Sequence, residues 1–364
     1  MNSAIQFSRQ QRITNCLLLN ASFIDNLGLL HGKMGIAIYF FHLARETKNQ
    51  IYEDYAGELI DEIYDEITTQ TPCDFENGLA GIGWGIEYLA GNGFIEADTD
   101  EVLEEFDNRI IHEITYHPSD DAGILQGISG YIVYFLTRIK SGSKKKPALK
   151  RVLGKTILLL QEYFDKSDAD FNRLWKEPEK FDIAWNYALV LWVLAELYHA
   201  KLYKKETEQI ITKLLSALEG HTSLPQLHSH QLMFALVIEK LRQSGNESLS
   251  DTDLAELSKQ LIEEIKREKI REELEPNSAF LQYGASGISL VYKQLFILTQ
   301  IPLYEIESSY WKSCCSELPE SDQGYSGYHV KKENEDKAFG LLNGLAGIGL
   351  NGMKLDINQT HNHD

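Results

Sequence analysis

The chain has 364 residues, 43% of them hydrophobic and 24% charged, which is typical of a globular protein with a substantial core. Its formal net charge of −19 at pH 7 argues against nucleic acid and against a membrane surface as partners, because phosphate groups attract clustered lysine and arginine. We find no signal-peptide pattern and no apolar stretch near the roughly 20 residues that span a bilayer, and the four cysteines are too few for a disulfide framework, so we expect a cytoplasmic protein with reduced thiols.

Five segments share one pattern, which is an apolar lead-in, a Gly-x-x-Gly pair and an apolar run of helical length. The pairs are Gly32/Gly35, Gly78/Gly81, Gly127/Gly130, Gly284/Gly287 and Gly344/Gly347. Successive first glycines are 46, 49, 157 and 60 residues apart. The gap of 157 residues is three times about 52, so two further repeats are expected inside it. Residues 184–188 and 227–230 lead into apolar runs at the expected places, but without the glycines.

Between these runs lie segments whose apolar residues recur every three or four positions, as expected for amphipathic helices. They include residues 59–67, 102–114, 210–218 and 254–265. We find no convincing period-two alternation, so few strands are expected. The chain therefore predicts an all-α fold, an (α/α)7 toroid of inner and outer helices with seven repeats, two of them eroded. We expect residues 1–355 to form one domain and residues 356–364 to be a polar, flexible tail.

The glycine pairs have a structural interpretation. Two glycines three residues apart lie on one face of a helix and let another backbone approach closely. The first glycine, for example Gly78 after Asn77, is also expected to take the positive φ of a tight turn.

The repeats resemble those of the lanthionine synthetase C-like (LanC-like) family over essentially the whole chain. The resemblance is strongest in residues 74–107, which begin Asp-Phe-Glu-Asn-Gly-Leu-Ala-Gly-Ile-Gly-Trp. Residues 340–349, Gly-Leu-Leu-Asn-Gly-Leu-Ala-Gly-Ile-Gly, look like the last repeat of the family. One such pair would be weak evidence, whereas five in register are specific for the fold.

The resemblance also implies a chemistry. Family members that act as cyclases hold a zinc ion at the centre of the toroid with a cysteine of the fifth repeat and a Cys-His pair of the sixth. The zinc activates a cysteine thiolate of the peptide substrate, which adds to a dehydrated serine or threonine and forms a thioether. Three protein ligands leave a fourth position open for that sulfur.

This chain departs from the family at each of these positions. The Cys-His pair of the sixth repeat is replaced by Gln282-Tyr283, and the cysteine of the fifth repeat falls at or beside His228. The family's acid/base candidates fall two residues from Asp121 and near Tyr187. The four cysteines all lie outside the lead-ins. The resemblance therefore implies the scaffold without its zinc centre, and we expect no cofactor.

Six polar residues should face the central cavity if the repeat register holds. They are Asp121, Tyr187, His228, His230, Gln282 and Tyr283. Such residues can contact a ligand, or they can fill a disused cavity. His228 and His230 are the best remaining pair of metal ligands, but residues two apart on a helix point to different faces, and a third ligand is missing.

Three functions stay open. The favoured one is a catalytically degenerate LanC-like protein that binds a peptide or a protein as an accessory module of a lanthipeptide-type pathway, because the site rather than the fold decides function. The second is a zinc-dependent thioether-forming peptide cyclase that uses His228 and His230. The third is a glycan-processing α/α toroid with Asp121 and Asp182 as its two carboxylates.

Overall fold

A computed structural model of the chain describes residues 8–166, 173–220, 224–244, 251–263, 265–276, 278–316 and 338–353. No residue in these ranges belongs to a β-strand. The helices are α1 (Arg9–Asn20), α2 (Lys33–Thr47), α3 (Gln50–Glu66), α4 (Leu79–Gly91), α5 (Thr99–Val102), α6 (Glu104–Tyr116), α7 (Ile128–Lys140), α8 (Lys146–Lys166), α9 (Asn186–His199), α10 (Lys204–Gly220), α11 (His228–Gln243), α12 (Asp251–Glu263), α13 (Arg267–Glu273), α14 (Ala285–Thr299), α15 (Pro302–Ser316) and α16 (Leu345–Gly352). The predicted tail, residues 356–364, lies outside the described residues.

The helices form two concentric layers. The inner ring consists of α2, α4, α7, α9, α11, α14 and α16, each in contact with the next, and α16 contacts α2 and closes the ring. The outer layer consists of α3, α6, α8, α10, α12 and α15, each packed on the inner helix that precedes it, together with α1. The first helix, α1, packs on α16 and so completes the last repeat. The predicted toroid of seven helix pairs is confirmed.

Burial explains why the two layers differ in sequence. Every residue of α2 from Lys33 to Phe41 is buried, whereas α3 buries only Ala56, Leu59 and Ile63, which form one stripe. An inner helix is covered by its two neighbours and by its outer partner, so it must be apolar on most faces. None of the described helices is long and apolar enough to cross a membrane.

The glycine pairs allow the lead-ins to cross close to the inner helices. Five inner helices begin directly after the first glycine of a pair. Gly78 has φ −115°, so the prediction of a positive φ there is wrong. Close approach is the reason for glycine, because a Cβ on Gly78 would lie 2.6 Å from the carbonyl carbon of Pro72, and one on Gly81 would lie 3.1 Å from that of Phe75.

The two eroded repeats begin their inner helices without glycine. The N-cap of α9 is Trp185 and the N-cap of α11 is Leu227, so these residues occupy the first-glycine position. The second-glycine position is therefore held by Ala188 and His230. A lead-in cannot cross as closely over a histidine as over a glycine, so the fifth lead-in must take a different path.

The lead-ins hydrogen-bond to one another around one rim of the toroid. In each pair the backbone N–H of the first residue donates to the backbone carbonyl of the second. The pairs are Leu342 to Leu30 (2.9 Å), Leu30 to Glu76 (3.2 Å), Glu76 to Leu125 (2.9 Å), Gln282 to Leu342 (3.0 Å) and Ile183 to Gln282 (3.0 Å). Each of these residues except Ile183 stands two residues before the first glycine of a pair. Ile183 stands two residues before Trp185, which holds that position in an eroded repeat. The repeats therefore bring their polar lead-in residues to a common rim.

One buried ionic cluster ties the second and third repeats together. Arg138, on α7, is fully buried. Its guanidinium contacts carboxylate oxygens of Glu87 at 2.5 Å, Asp107 at 3.0 Å and Asp100 at 3.1 Å. Each carboxylate comes from the second repeat or from the segment after it, and none belongs to a lead-in. The cluster therefore stabilises the packing of two repeats and is not part of the rim.

Candidate functional site

A hydrogen-bonded cluster on the rim joins the first three repeats. Glu76 accepts from Gln126 Nε2 at 2.7 Å through Oε2, and its Oε1 lies 2.9 Å from His31 Nε2. His31 and Glu76 are buried, whereas Gln126 is exposed. None of the three was among the predicted site residues. The signal was present in the repeats, since His31 and Gln126 directly precede a first glycine, as Tyr283 does.

A second cluster on the rim joins the fourth, sixth and seventh repeats. Gln282 Nε2 donates to Asp182 Oδ1 at 3.1 Å, and Gln282 Oε1 accepts from Asn343 Nδ2. Asp182 Oδ1 also accepts from the backbone N–H of Ala184 at 2.8 Å. Burial raises the pKa of Asp182, and these two donors offset only part of that effect. Both ends of the Gln282 amide are therefore engaged with neighbouring repeats.

By the resemblance given above, Tyr283 corresponds to the histidine of the family's Cys-His pair. The side chain is partly buried. Burial, together with the nearby Asp182 carboxylate, raises the pKa of Tyr283 to about 12. The phenol is therefore neutral near pH 7, and a neutral phenol is a poor zinc ligand compared with imidazole or thiolate.

His230 is fully buried at the start of α11. Its Nε2 lies 3.2 Å from the backbone N–H of Asp182 and accepts from it. Its Nδ1 therefore carries the proton and donates to Glu177 Oε1 at 3.0 Å. Both ring nitrogens are engaged within the protein, so His230 offers no lone pair to a metal ion.

Two carboxylates hold the start of α11. Glu177 accepts from the backbone N–H groups of Gln226 at 2.8 Å and Leu227 at 3.0 Å. Glu273 accepts from the first two residues of the helix, at 2.9 and 2.8 Å. Burial raises the pKa of Glu177, but its hydrogen bonds from His230 and the backbone outweigh that effect, so the pKa lies below its ordinary value. These anions satisfy the donors and the positive dipole end of the helix.

The remaining predicted residues lie elsewhere. Asp121 accepts from the N–H of Gly123 at 2.7 Å and lies 3.8 Å from the Arg173 guanidinium. Tyr187 is fully buried, and its hydroxyl donates to the carbonyl of Leu214 on the outer helix α10 at 2.9 Å. Tyr187 therefore packs between the two layers, contrary to the prediction that it faces the central cavity.

These residues do not fit the family's zinc ion. Gln282 presents an amide that is already bonded at both ends, and Tyr283 presents a neutral phenol. The pair His228 and His230 does not present two free nitrogens, because both nitrogens of His230 are engaged. Within the described ranges, no group of three or more His, Cys, Asp and Glu side chains is arranged to hold a metal.

Two cavities adjoin this rim. One of about 620 Å³ lies between the second and third repeats and is lined by Cys73, Arg109, Glu113 and Gln126 among others. The other, of about 440 Å³, lies beside the start of α11 and includes Glu177 and Leu227. Both volumes fall in the range of small-ligand sites.

Comparison with known proteins agrees with this architecture. The family model described as "Lanthionine synthetase C-like protein" matches residues 24–223, more than half of the chain, so the chain belongs to the lanthionine synthetase C-like family. Among solved structures, nisin cyclase superposes with a TM-score of 0.66 at 14% identity, over 94% of this chain and 93% of that one. At that identity the likeness shows the helical toroid fold. No curated protein matches the sequence.

Proposed function

We propose that this chain is a catalytically degenerate LanC-like protein that binds a peptide or a protein as an accessory module of a lanthipeptide-type pathway. One observation carries the proposal: the position of the family's cysteine ligand in the sixth repeat holds Gln282, whose amide is bonded to Asp182 and Asn343. An amide has no thiolate to bind zinc, and without zinc the thiol of a substrate is not activated.

The retained scaffold supports a binding role. The rim carries two clusters of polar side chains, and the cavity of about 620 Å³ is large enough for several side chains of a peptide. The net charge of −19 favours a neutral or basic partner over an acidic one. All four cysteines are unpaired, which supports the proposal of a reducing, cytoplasmic setting.

Elemental analysis of tag-free protein purified without chelator tests the proposal. We expect a zinc content near zero. We also expect no loss of free thiol when the protein is incubated with a dehydrated, cysteine-containing peptide, because thioether formation consumes one thiol for each ring. About one zinc per chain together with thiol loss would overturn the proposal, and His228 would then be the first residue to substitute.

The glycan-processing alternative has no specific observation in its favour. Asp121 and Asp182 each use one carboxylate oxygen to accept the N–H of the residue two positions later. This is a local turn role that aspartate has in many proteins. The cyclase alternative is the opposite outcome of the zinc measurement.

A further inference from the structure

The cavity beside the start of α11 has an unusual combination of linings. Its volume is about 440 Å³, and its walls include Trp175, Glu177, Glu179, Leu224 and Leu227. Two of these residues are carboxylates, the lining contains no basic side chain, and the others include an indole and two leucines. Such a site combines negative charge with apolar surface.

Both carboxylates have capacity left for a ligand. Glu177 Oε1 accepts from Leu227 and His230, but Oε2 accepts only from Gln226. A carboxylate oxygen can accept two hydrogen bonds, so Oε2 has one free position. Glu179 is exposed and has no hydrogen bond or ion pair to another described residue.

The basic residues near the cavity are directed elsewhere. Arg173 lies 3.8 Å from Asp121, and Lys180 lies 3.3 Å from Glu275. Lys176 is exposed and is not part of the lining. The negative charge of the cavity is therefore not neutralised by a lysine or an arginine of its own walls.

The indole of Trp175 is held in a fixed orientation. Its ring centroid lies 4.4 Å from that of Tyr187 and 5.6 Å from that of Trp185, both in edge-to-face contact. An indole face attracts a cation within about 6 Å of its centroid. A rigid aromatic wall also loses little entropy when a ligand binds.

Gln231, on α11 near the cavity, has one side-chain atom without a hydrogen-bond partner. Gln231 is 8% exposed, and its Nε2 donates to the carbonyl of Pro225, directly after Leu224. Its Oε1 is buried without a partner in the described structure. A buried acceptor without a donor costs free energy, and it lies in a region where the carboxylates also accept hydrogen bonds.

We propose that this cavity binds the cationic side chain of a lysine or arginine residue in a peptide ligand. The proposal deepens the proposed function and rests on it for the peptidic nature of the ligand. Glu177 and Glu179 accept from the ammonium or guanidinium group, and Trp175, Leu224 and Leu227 line the space for its methylene stem.

The site lies at the eroded fifth repeat, beside the start of its inner helix. In the five glycine repeats, the lead-in crosses directly over the second glycine. In the fifth repeat the corresponding residue is His230, whose imidazole bridges Glu177 and the N–H of Asp182. The imidazole therefore ties Glu177, which lines the cavity, to the fourth lead-in at Asp182.

Ligand-detected NMR titration tests the proposal with four probes of one amino acid each. Nα-acetyl-arginine amide and Nα-acetyl-lysine amide carry the cation, and the citrulline and norleucine analogues are their uncharged matches. We expect each charged probe to bind at least fivefold more tightly than its match. Raising the salt concentration should reduce this ratio. Equal affinities within a pair would overturn the proposal.

Two variants locate the binding. Glu179→Gln removes an exposed carboxylate of the lining and should weaken binding of the arginine probe about threefold to fivefold, the effect of one partly exposed ion pair. Glu268→Gln removes the same charge from an exposed position of α13, outside the lining, and should leave the affinity unchanged. Equal effects of the two variants would overturn the proposal.

The test is separate from that of the proposed function. If the probes bind and the protein contains zinc and forms thioethers, the accessory role fails and the cation site stands. If the protein is free of zinc and inactive but does not distinguish arginine from citrulline, the cation site alone is wrong.

Discussion

Substitution of the second glycine in the second repeat tests whether the lead-ins cross the inner helices as closely as described. A Cβ at Gly81 would lie 3.0 Å from Leu29 Cβ, 3.1 Å from the carbonyl carbon of Phe75 and closer still to its oxygen. Carbon atoms pack best at about 3.5–4.0 Å. The lead-in must therefore shift, and this strains the hydrogen bonds that Phe75 and Glu76 donate to Leu125 O at 3.0 and 2.9 Å.

These effects set the magnitude for Gly81→Ala. Overpacking costs about 1–3 kcal/mol, two strained hydrogen bonds add about 1 kcal/mol each, and alanine returns about 1 kcal/mol of helix propensity. We expect a net loss of about 3 kcal/mol in the free energy of unfolding. Urea denaturation followed by circular dichroism measures it.

Gly57→Ala is the matched control. Gly57 lies within α3, and a Cβ there would meet nothing within 4 Å. Alanine should stabilise this helix by about 0.5–1 kcal/mol. If Gly81→Ala also left the stability within 1 kcal/mol of the parent protein, the close crossing of lead-in and helix would be refuted.

Three further substitutions probe other parts of the fold, each measured by urea unfolding. Arg138→Met leaves the carboxylate of Glu87 buried without its cation and should cost about 3–5 kcal/mol, and a loss under 1 kcal/mol would show that the cluster is solvated. Tyr187→Phe should cost about 1 kcal/mol by removing the hydrogen bond from its hydroxyl to the carbonyl of Leu214; unchanged stability would contradict the placement of Tyr187 between the layers. Burial raises the pKa of Glu196, but the ammonium groups of Lys140 and Lys240 lower it by more than that. The resulting pKa is about 2, against 4.5 for the free side chain. The ionised Glu196 carboxylate therefore makes its full contribution to the free energy of unfolding above pH 4.5, and this contribution is lost as the pH falls towards 2. Between pH 6 and pH 3, the free energy of unfolding of the parent protein should fall by about 2 kcal/mol more than that of Glu196→Gln. Equal decreases in the two proteins would contradict this.

The helix layers and their repeat could be predicted from the sequence because both depend on local patterns. Apolar periodicity decides which face of each helix is buried, and the glycine pairs recur at the start of five inner helices. The interpolated fourth and fifth repeats were also found, because the spacing of a ring of similar units is regular.

The tertiary structure decided where individual side chains point. Gly78 has φ −115°, and glycine is needed there because a Cβ would lie 2.6 Å from the carbonyl carbon of Pro72 in the folded lead-in. Tyr187 faces the outer layer because α9 begins after Trp185, and without a glycine pair the sequence does not mark that register. The orientation of Tyr187 depends on its hydrogen bond to Leu214, 27 positions further along the chain.

The polar side chains of the rim also separate what the sequence predicts from what the tertiary structure decides. The residues His31 and Glu76 are 45 positions apart, and Gln282 and Asp182 are 100 apart, yet each pair is hydrogen-bonded. Periodicity identifies each lead-in, but only closure of the ring brings these side chains within bonding distance. The sequence by itself therefore determined the scaffold, whereas the partners of its polar lead-in residues depended on how seven repeats pack around one centre.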